Sequence, residues 1–131
     1  MKRKIILLLL LIISSYPVSA IEKQQDIWQS VAPNNYIDPE GIVGTTDIYG
    51  FTFLLKAYNK GQYEPINGKK ISYTLSQYTI DCEKHTYKIG VMDSYGQNDE
   101  FITGDYNRFA NFQPIVSGTA VSAVAQKLCR P

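Results

Sequence analysis

Side chains that carry out chemistry are scarce in this sequence. Histidine occurs once, as His85, and no Cys-x-x-Cys, His-Glu-x-x-His, Gly-x-Ser-x-Gly, Walker A or Gly-x-Gly-x-x-Gly pattern is present. Catalysis at a histidine needs a nucleophile and an orienting carboxylate beside it, and a zinc site needs further imidazole or thiolate ligands. We therefore interpret His85 as a solvated turn residue and expect no enzymatic activity, no catalytic residue and no cofactor.

Carboxylates are concentrated in one segment, which raises the question of calcium. The segment contains Asp93, Asp99, Glu100 and Asp105. A calcium loop of the EF-hand type has oxygen ligands at alternating positions, a central glycine and a terminal glutamate, and this spacing lacks them. A solvated acidic loop is the favoured interpretation, with a weak irregular calcium site as the alternative, and we expect no metal.

Residues 21–131 also have no excess of positive charge. Three of the 13 basic residues, Lys2, Arg3 and Lys4, precede an apolar run, so residues 21–131 carry 10 basic and 12 acidic residues. The longest basic run in that part is Lys69-Lys70. Nucleic acid and anionic membranes are therefore not expected partners.

Long hydrophobic runs are limited to residues 5–13, which are all Ile or Leu. Nine residues of helix span about 14 Å, against roughly 30 Å of bilayer hydrocarbon, so a membrane-spanning anchor is disfavoured. The basic start, the apolar run and the small residues Val18-Ser19-Ala20 are typical of a secretory signal peptide. We predict a signal peptide over residues 1–20, cleavage between Ala20 and Ile21, and one domain over residues 21–131.

Only two cysteines are present, Cys82 and Cys129. In a chain exported to an oxidising compartment, one intramolecular disulfide is the expected outcome. Neither cysteine ends the leader, where a bacterial lipoprotein has its acylated cysteine. The mature protein is therefore expected to have no lipid anchor and to be periplasmic or on the cell surface.

Alternating apolar residues predict an antiparallel sheet. Residues 47–58 are apolar on both faces, as in a central strand that is covered on both sides. Residues 69–82 predict a second strand whose apolar positions change face near Ser76-Gln77, where we expect a β-bulge. Residues 85–91 and 101–103 predict two more strands of a meander.

The C-terminal segment predicts a helix beginning after an N-cap at Ser117. Apolar residues recur at Val121, Val124, Ala125 and Leu128, one face of a helix. Cys129 then lies at the edge of this stripe, where a bond to Cys82 would hold the helix on the sheet. The predicted fold class is α+β, a small antiparallel sheet with a C-terminal helix packed on it and one disulfide.

Tyrosine is the unusual component, with nine in residues 21–131. Many strand tyrosines pack their rings and leave their hydroxyls in water. An exposed group of tyrosines would instead form a binding surface, because tyrosine is enriched at protein interfaces.

The order of several short segments resembles the surface-adhesin protein E-like family of Gram-negative bacteria. The resembling segments are Trp28, Tyr36-Ile37-Asp38 with Ile42, the aromatic strand over 48–58, Thr79-Ile80-Asp81-Cys82 with Tyr87-Lys88, residues 113–118, and Lys127-Leu128-Cys129. The resemblance implies an antiparallel sheet with a C-terminal helix. It also implies a domain that, in the best-known member, forms dimers and binds host matrix proteins such as vitronectin and laminin.

These observations favour a non-enzymatic exported binding protein. A matrix-binding adhesin is one interpretation, and a soluble periplasmic envelope module or hydrolase inhibitor is the alternative, because that adhesin is a lipoprotein and this leader has no cysteine. The partner is expected to be a protein. A homodimer is also expected, since the strand over 47–58 has two apolar faces and one short helix can cover only one of them.

Overall fold

The computed structural model describes residues 27–106 and 111–130. The strands are β1 (Gln29–Ala32), β2 (Asn35–Ile37), β3 (Val43–Gly44), β4 (Gly50–Tyr58), β5 (Tyr73–Asp81), β6 (Thr86–Tyr95), β7 (Phe101–Tyr106) and β8 (Gln113–Pro114). The helices are two 3-10 turns, Pro39–Gly41 and Gln97–Asp99, and the α-helix α1, Ala120–Leu128. The predicted signal peptide and its cleavage site lie outside the described residues.

All strands belong to one antiparallel sheet with the order β1-β2-β4-β5-β6-β7. Strand β3 lies beside β4, and β8 beside β6. The meander of β4, β5 and β6 forms the centre, with residues 59–72 connecting β4 to β5 and residues 82–85 connecting β5 to β6. The sheet, its C-terminal helix and the disulfide confirm the predicted fold class.

Within the described part of the chain, no helix is long and apolar enough to cross a membrane.

Helix α1 covers part of one face of the sheet and forms the core with it. Its buried residues Val121, Val124 and Ala125 join a cluster with Ile37, Phe53, Leu55, Ile80 and Ile115. The helix begins two residues later than predicted. Thr119, not Ser117, is the N-cap, since its Oγ1 accepts the N–H of Ser122 at 3.2 Å. Ser117 lies in the turn before it, beside Gly118 at φ 87°.

The disulfide joins Cys82, just after β5, to Cys129 at the C-terminal end of α1. The two Cα atoms are 5.3 Å apart, and 47 positions separate the cysteines in the chain. The bond therefore holds the last turn of the helix against the end of β5.

Strand β4 begins at Gly50, three residues later than predicted. A Cβ atom at Gly50 would lie 1.9 Å from the carbonyl oxygen of Ile80 on β5. Only glycine allows the two backbones to approach this closely. Residues 46–49 form a bend before this contact.

The predicted bulge lies in β6 and not in β5, so the prediction for β5 is wrong. Register is regular along the whole of β4 and β5. The shift opposite Gln77 and Tyr78 instead arises from an extra residue, Gly90, in β6. Strand β5 changes its apolar face because the buried helix-side positions of its first half are the hydroxyl residues Thr74 and Ser76. Tyr78 and Ile80 face α1, whereas Tyr73 and Leu75 face away from it.

Candidate functional site

The face of the sheet turned away from α1, here called the outer face, carries a continuous row of aromatic rings. This aromatic row consists of Tyr36 on β2, Tyr58 on β4, Tyr73 on β5, Tyr95 on β6 and Phe101 on β7. Ring centroids along it are 5.7, 5.9, 5.0 and 5.8 Å apart. Residues directly opposite on antiparallel strands share a face, so strand register produces the row. Each pair of rings at this distance adds about 0.5–1.5 kcal/mol beyond burial.

A lysine ammonium lies over three rings at the centre of this face. The Nζ atom of Lys56 is 4.4 Å from the ring centroid of Tyr73, 5.2 Å from that of Tyr58 and 5.5 Å from that of Trp28. A cation over the negative face of an aromatic ring is attracted by its quadrupole. Lys56 therefore connects Trp28, which precedes β1, to the aromatic row.

Exposure varies along the aromatic row. Tyr73, in the middle, is buried, whereas Tyr58 and Phe101 are exposed. Leu54 and Tyr106 add further exposed apolar surface on the same face. The arrangement is a buried centre with solvent-accessible rings around it, and aromatic side chains of this kind are enriched at protein interfaces.

The hydroxyl of Tyr73 fixes the loop before β7. It donates a hydrogen bond to Oδ1 of Asp99 at 2.7 Å. Both Asn98 and Asp99 have positive φ, 59° and 58°, which non-glycine residues rarely adopt. Burial, followed by the hydrogen bond and charge of Asp99, raises the pKa of Tyr73 above its ordinary value. The phenol therefore remains a neutral donor to this loop.

The acidic residues singled out in the sequence lie on two strands and in the loop between them. Asp99 accepts from Tyr73, and Glu100 forms a salt bridge with Lys69. Asp93 lies opposite Leu75 in the sheet, and Asp105 lies opposite Met92. Across residues 27–106 and 111–130, no three His, Cys, Asp or Glu side chains converge as a metal site.

His85 lies in the turn between β5 and β6 and is exposed. Its φ is 56°, and its carbonyl oxygen accepts the N–H of Ile115 at 3.2 Å. The turn is held by Asp81, whose Oδ1 accepts the N–H groups of Glu83 and Lys84, each at 3.0 Å. These hydrogen bonds hold the backbone of the turn that contains His85.

A second concave surface lies on the helix side, beside the N-terminus of α1. This helix-side groove has a volume of about 380 Å³. Its walls come from the β1–β2 turn, the loop after β4, strands β4–β6 and the start of α1. Tyr78 lines it and stacks on Phe53 and Tyr87 at centroid distances of 5.6 and 5.8 Å.

Raising the pH from about 10 to about 12 is expected to destabilise the domain. Burial, with smaller contributions from Tyr87 and Tyr63, raises the pKa of Tyr78 to about 12, against about 10 for a free phenol. Below pH 10 the phenol is protonated in both states and its contribution is fully present. Above pH 10 the unfolded chain loses the proton first, so the free energy of unfolding falls until the folded pKa is passed.

Urea unfolding at a series of alkaline pH values measures this effect. The free energy of unfolding of the Tyr78→Phe variant should fall less with rising pH than that of the natural chain. Some decline should remain in the variant, because the pKa of Tyr73 is also raised. An identical decline in both proteins would contradict the assignment to Tyr78.

Sequence reasoning identified tyrosine richness but not which tyrosines meet. The sequence contained part of this information, because Tyr58 and Tyr73 lie in the predicted strands over 47–58 and 69–82. These two strands are neighbours in the sheet. The pairing of Tyr73 with Tyr95 depends on β6 continuing to residue 95, whereas the sequence prediction ended that strand near residue 91.

Comparison with known proteins gives a consistent result. The model of the family Surface-adhesin protein E matches residues 28–130. The fold is similar to the crystal form II structure of Haemophilus influenzae protein E, with a TM-score of 0.62, 13% sequence identity, and coverage of 80% of this chain and 88% of that chain. No curated protein matches the sequence. The family match covers the whole described sheet and helix, and the chain therefore belongs to the surface-adhesin protein E family.

Proposed function

We propose that this protein is an exported surface adhesin that binds host extracellular-matrix proteins through its aromatic row. Family membership supports a surface adhesin and a non-enzymatic role. The signal-peptide pattern of residues 1–20 supports export. The observation that carries the proposal is the row itself, because Tyr and Trp dominate the binding energy of protein interfaces.

Binding to immobilised vitronectin and laminin, measured with purified oxidised protein, tests the proposal. The Tyr58→Ala variant is expected to weaken binding about 30-fold, the effect of removing one hot-spot side chain worth about 2 kcal/mol. Tyr63→Ala is the matched control, since Tyr63 is 40% exposed against 36% for Tyr58 but does not belong to the aromatic row. Equal losses in both variants, or no binding by the natural chain, would contradict the proposal.

A second copy of the chain is the other candidate occupant of the outer face. The exposed side chains of Leu54, Tyr58 and Phe101 support this homodimer. Light scattering at micromolar concentration measures the mass. A dimer that dissociates in Tyr58→Ala would place the second copy on the aromatic row, and a monomer would contradict the homodimer.

Localisation separates the adhesin from the periplasmic alternative. Protease treatment of intact bacteria, with a periplasmic protein as control, should degrade a surface adhesin. Protection of this protein together with absent matrix binding would favour a periplasmic binding module.

A further inference from the structure

Asp93 on β6 places a carboxylate on the outer face, next to the aromatic row. It lies directly opposite Leu75, whose side chain faces away from α1, and residues opposite each other share a face. Tyr95 of the aromatic row is two positions further along β6 and therefore lies on the same face. On the other side of Asp93, the residue directly opposite is Gly104 on β7. The carboxylate therefore lies beside the end of the aromatic row.

The lack of a side chain at Gly104 makes room for this carboxylate. A Cβ atom at Gly104 would lie only 2.7 Å from Oδ1 of Asp93. The same position is 3.5 Å from Cζ of Phe101 and 3.5 Å from Cε2 of Tyr106. A carboxylate oxygen and two aromatic rings therefore meet above one glycine. We call these four residues the Asp93 site.

The carboxylate of Asp93 has no counter-ion among the described residues. Its Oδ1 atom is buried and lacks a hydrogen-bond partner there. Lys56 is on the same face, but the register places Leu75 between the two residues, and Nζ of Lys56 lies 4.4 Å from the ring centroid of Tyr73. Burying a charged oxygen without a partner costs free energy, so folded proteins contain few such atoms. A bound donor of positive charge would remove that cost.

The rings beside the carboxylate leave it accessible to a ligand. Phe101 is 54% exposed and Tyr106 is 66% exposed. Exposed side chains change rotamer within picoseconds to nanoseconds. A ligand can therefore reach Oδ1 by displacing these rings, without a change in the backbone of β6 or β7, and the displaced rings then flank the ligand.

The chemistry of the Asp93 site fits an organic cation better than a metal ion. A calcium ion takes about six to eight oxygen ligands, and no three His, Cys, Asp or Glu side chains converge within residues 27–106 and 111–130. Asp105, the next carboxylate on β7, lies opposite Met92 and therefore on the other face. The guanidinium group of arginine has paired N–H donors that match a carboxylate, and its flat surface stacks on aromatic rings.

We propose that the Asp93 site binds an arginine side chain of the partner protein. The guanidinium donates two hydrogen bonds to the carboxylate of Asp93 and stacks against the rings of Phe101 and Tyr106. This inference rests on the proposed function, because Phe101 belongs to both the site and the aromatic row. It adds that the bound protein presents an exposed arginine at the edge of the surface that covers the row.

Titration of the ¹⁵N-labelled oxidised protein with Nα-acetylarginine amide tests the site. The amide signals of Asp93 and Gly104 should shift in a saturable way. Nα-acetylcitrulline amide has a similar shape without the charge and should bind at least about tenfold more weakly, because charge-assisted hydrogen bonds are the stronger ones. Equal binding of the citrulline derivative, or unchanged signals with the arginine derivative, would overturn the proposal. Calcium chloride should leave both signals unchanged, and saturable shifts with calcium would identify a metal site instead.

Two matched variants identify the contact. Asp93→Asn removes the charge but keeps the shape, and it should weaken binding of Nα-acetylarginine amide at least about tenfold. Asp105→Asn makes the same change on the other face and should leave binding unchanged. In urea, Asp93→Asn should be no less stable than the natural chain, since the buried oxygen has no partner among the described residues. Equal losses of binding in the two variants, or a loss of stability in Asp93→Asn, would contradict the assigned contact.

The assay with immobilised vitronectin and laminin separates this inference from the proposed function. Asp93→Asn should bind at least about tenfold more weakly than the natural chain or Asp105→Asn. Matrix binding that is weakened by Tyr58→Ala but not by Asp93→Asn would contradict the arginine contact and support the proposed function. Saturable binding of Nα-acetylarginine amide by a chain that binds neither matrix protein would contradict the proposed function and support the arginine site.

Discussion

Removal of the disulfide, by Cys82→Ser with Cys129→Ser, is expected to lower the free energy of unfolding by about 4 kcal/mol. The bond closes a loop of about 48 residues, and cross-linking a loop of that length removes conformational entropy from the unfolded chain. Total stability of a small domain is about 5–15 kcal/mol. The bond therefore supplies a large share of the stability, and the variant should unfold at a much lower urea concentration.

Reductant provides the matched control for this prediction. The natural chain in excess dithiothreitol should unfold at the same urea concentration as the double serine variant, and the variant should be insensitive to reductant. An unfolding midpoint that is unchanged by either treatment would show that the sheet and helix hold together without the bond.

The second large effect is expected at Leu55. Its side chain is 4% exposed and lies in the core cluster beneath α1. Leu55→Ala should lower the free energy of unfolding by about 2–5 kcal/mol, because it removes buried methyl groups and leaves a cavity. Urea denaturation monitored by circular dichroism measures the change.

The adjacent residue provides an internal control. Leu54 is on the same strand and is 39% exposed on the outer face. Leu54→Ala should cost about 1 kcal/mol or less. A Leu54→Ala variant as unstable as Leu55→Ala would mean that the outer face is covered in solution, as it would be in a homodimer. Repeating the measurement at several protein concentrations distinguishes that case, since dimer stability depends on concentration.

Local patterns in the sequence were sufficient to predict the elements whose buried residues all lie on one face. The stripe of Val121, Val124 and Ala125 predicted the terminal helix, and the position of Cys129 on it predicted the bond to Cys82. The helix pattern depends on residues close together in the chain, whereas the bond followed from the presence of only two cysteines in an exported chain.

Features that depend on partners distant in the chain were not readable. The face change along β5 indicated a bulge in that strand, but it arises because Thr74 and Ser76 take the buried helix-side positions of its first half. The end of β6 was missed because Asp93 and Ser94 resemble turn residues, yet pairing with β5 and β7 keeps them in the ladder. The aromatic row needs both register and strand length, and therefore followed only from the structure.

The short length of α1 also determines the order in which the domain assembles. A nine-residue helix is only marginally populated by itself in water, because nucleation is costly and few hydrogen bonds compensate for it. The hairpins β4–β5 and β5–β6 join segments that are near neighbours in the chain, and such contacts form early. The helix instead packs on strands that precede it by dozens of residues. We therefore expect the meander to form first and to serve as the template on which α1 becomes helical, so that docking of the helix brings Cys129 to Cys82 late in folding.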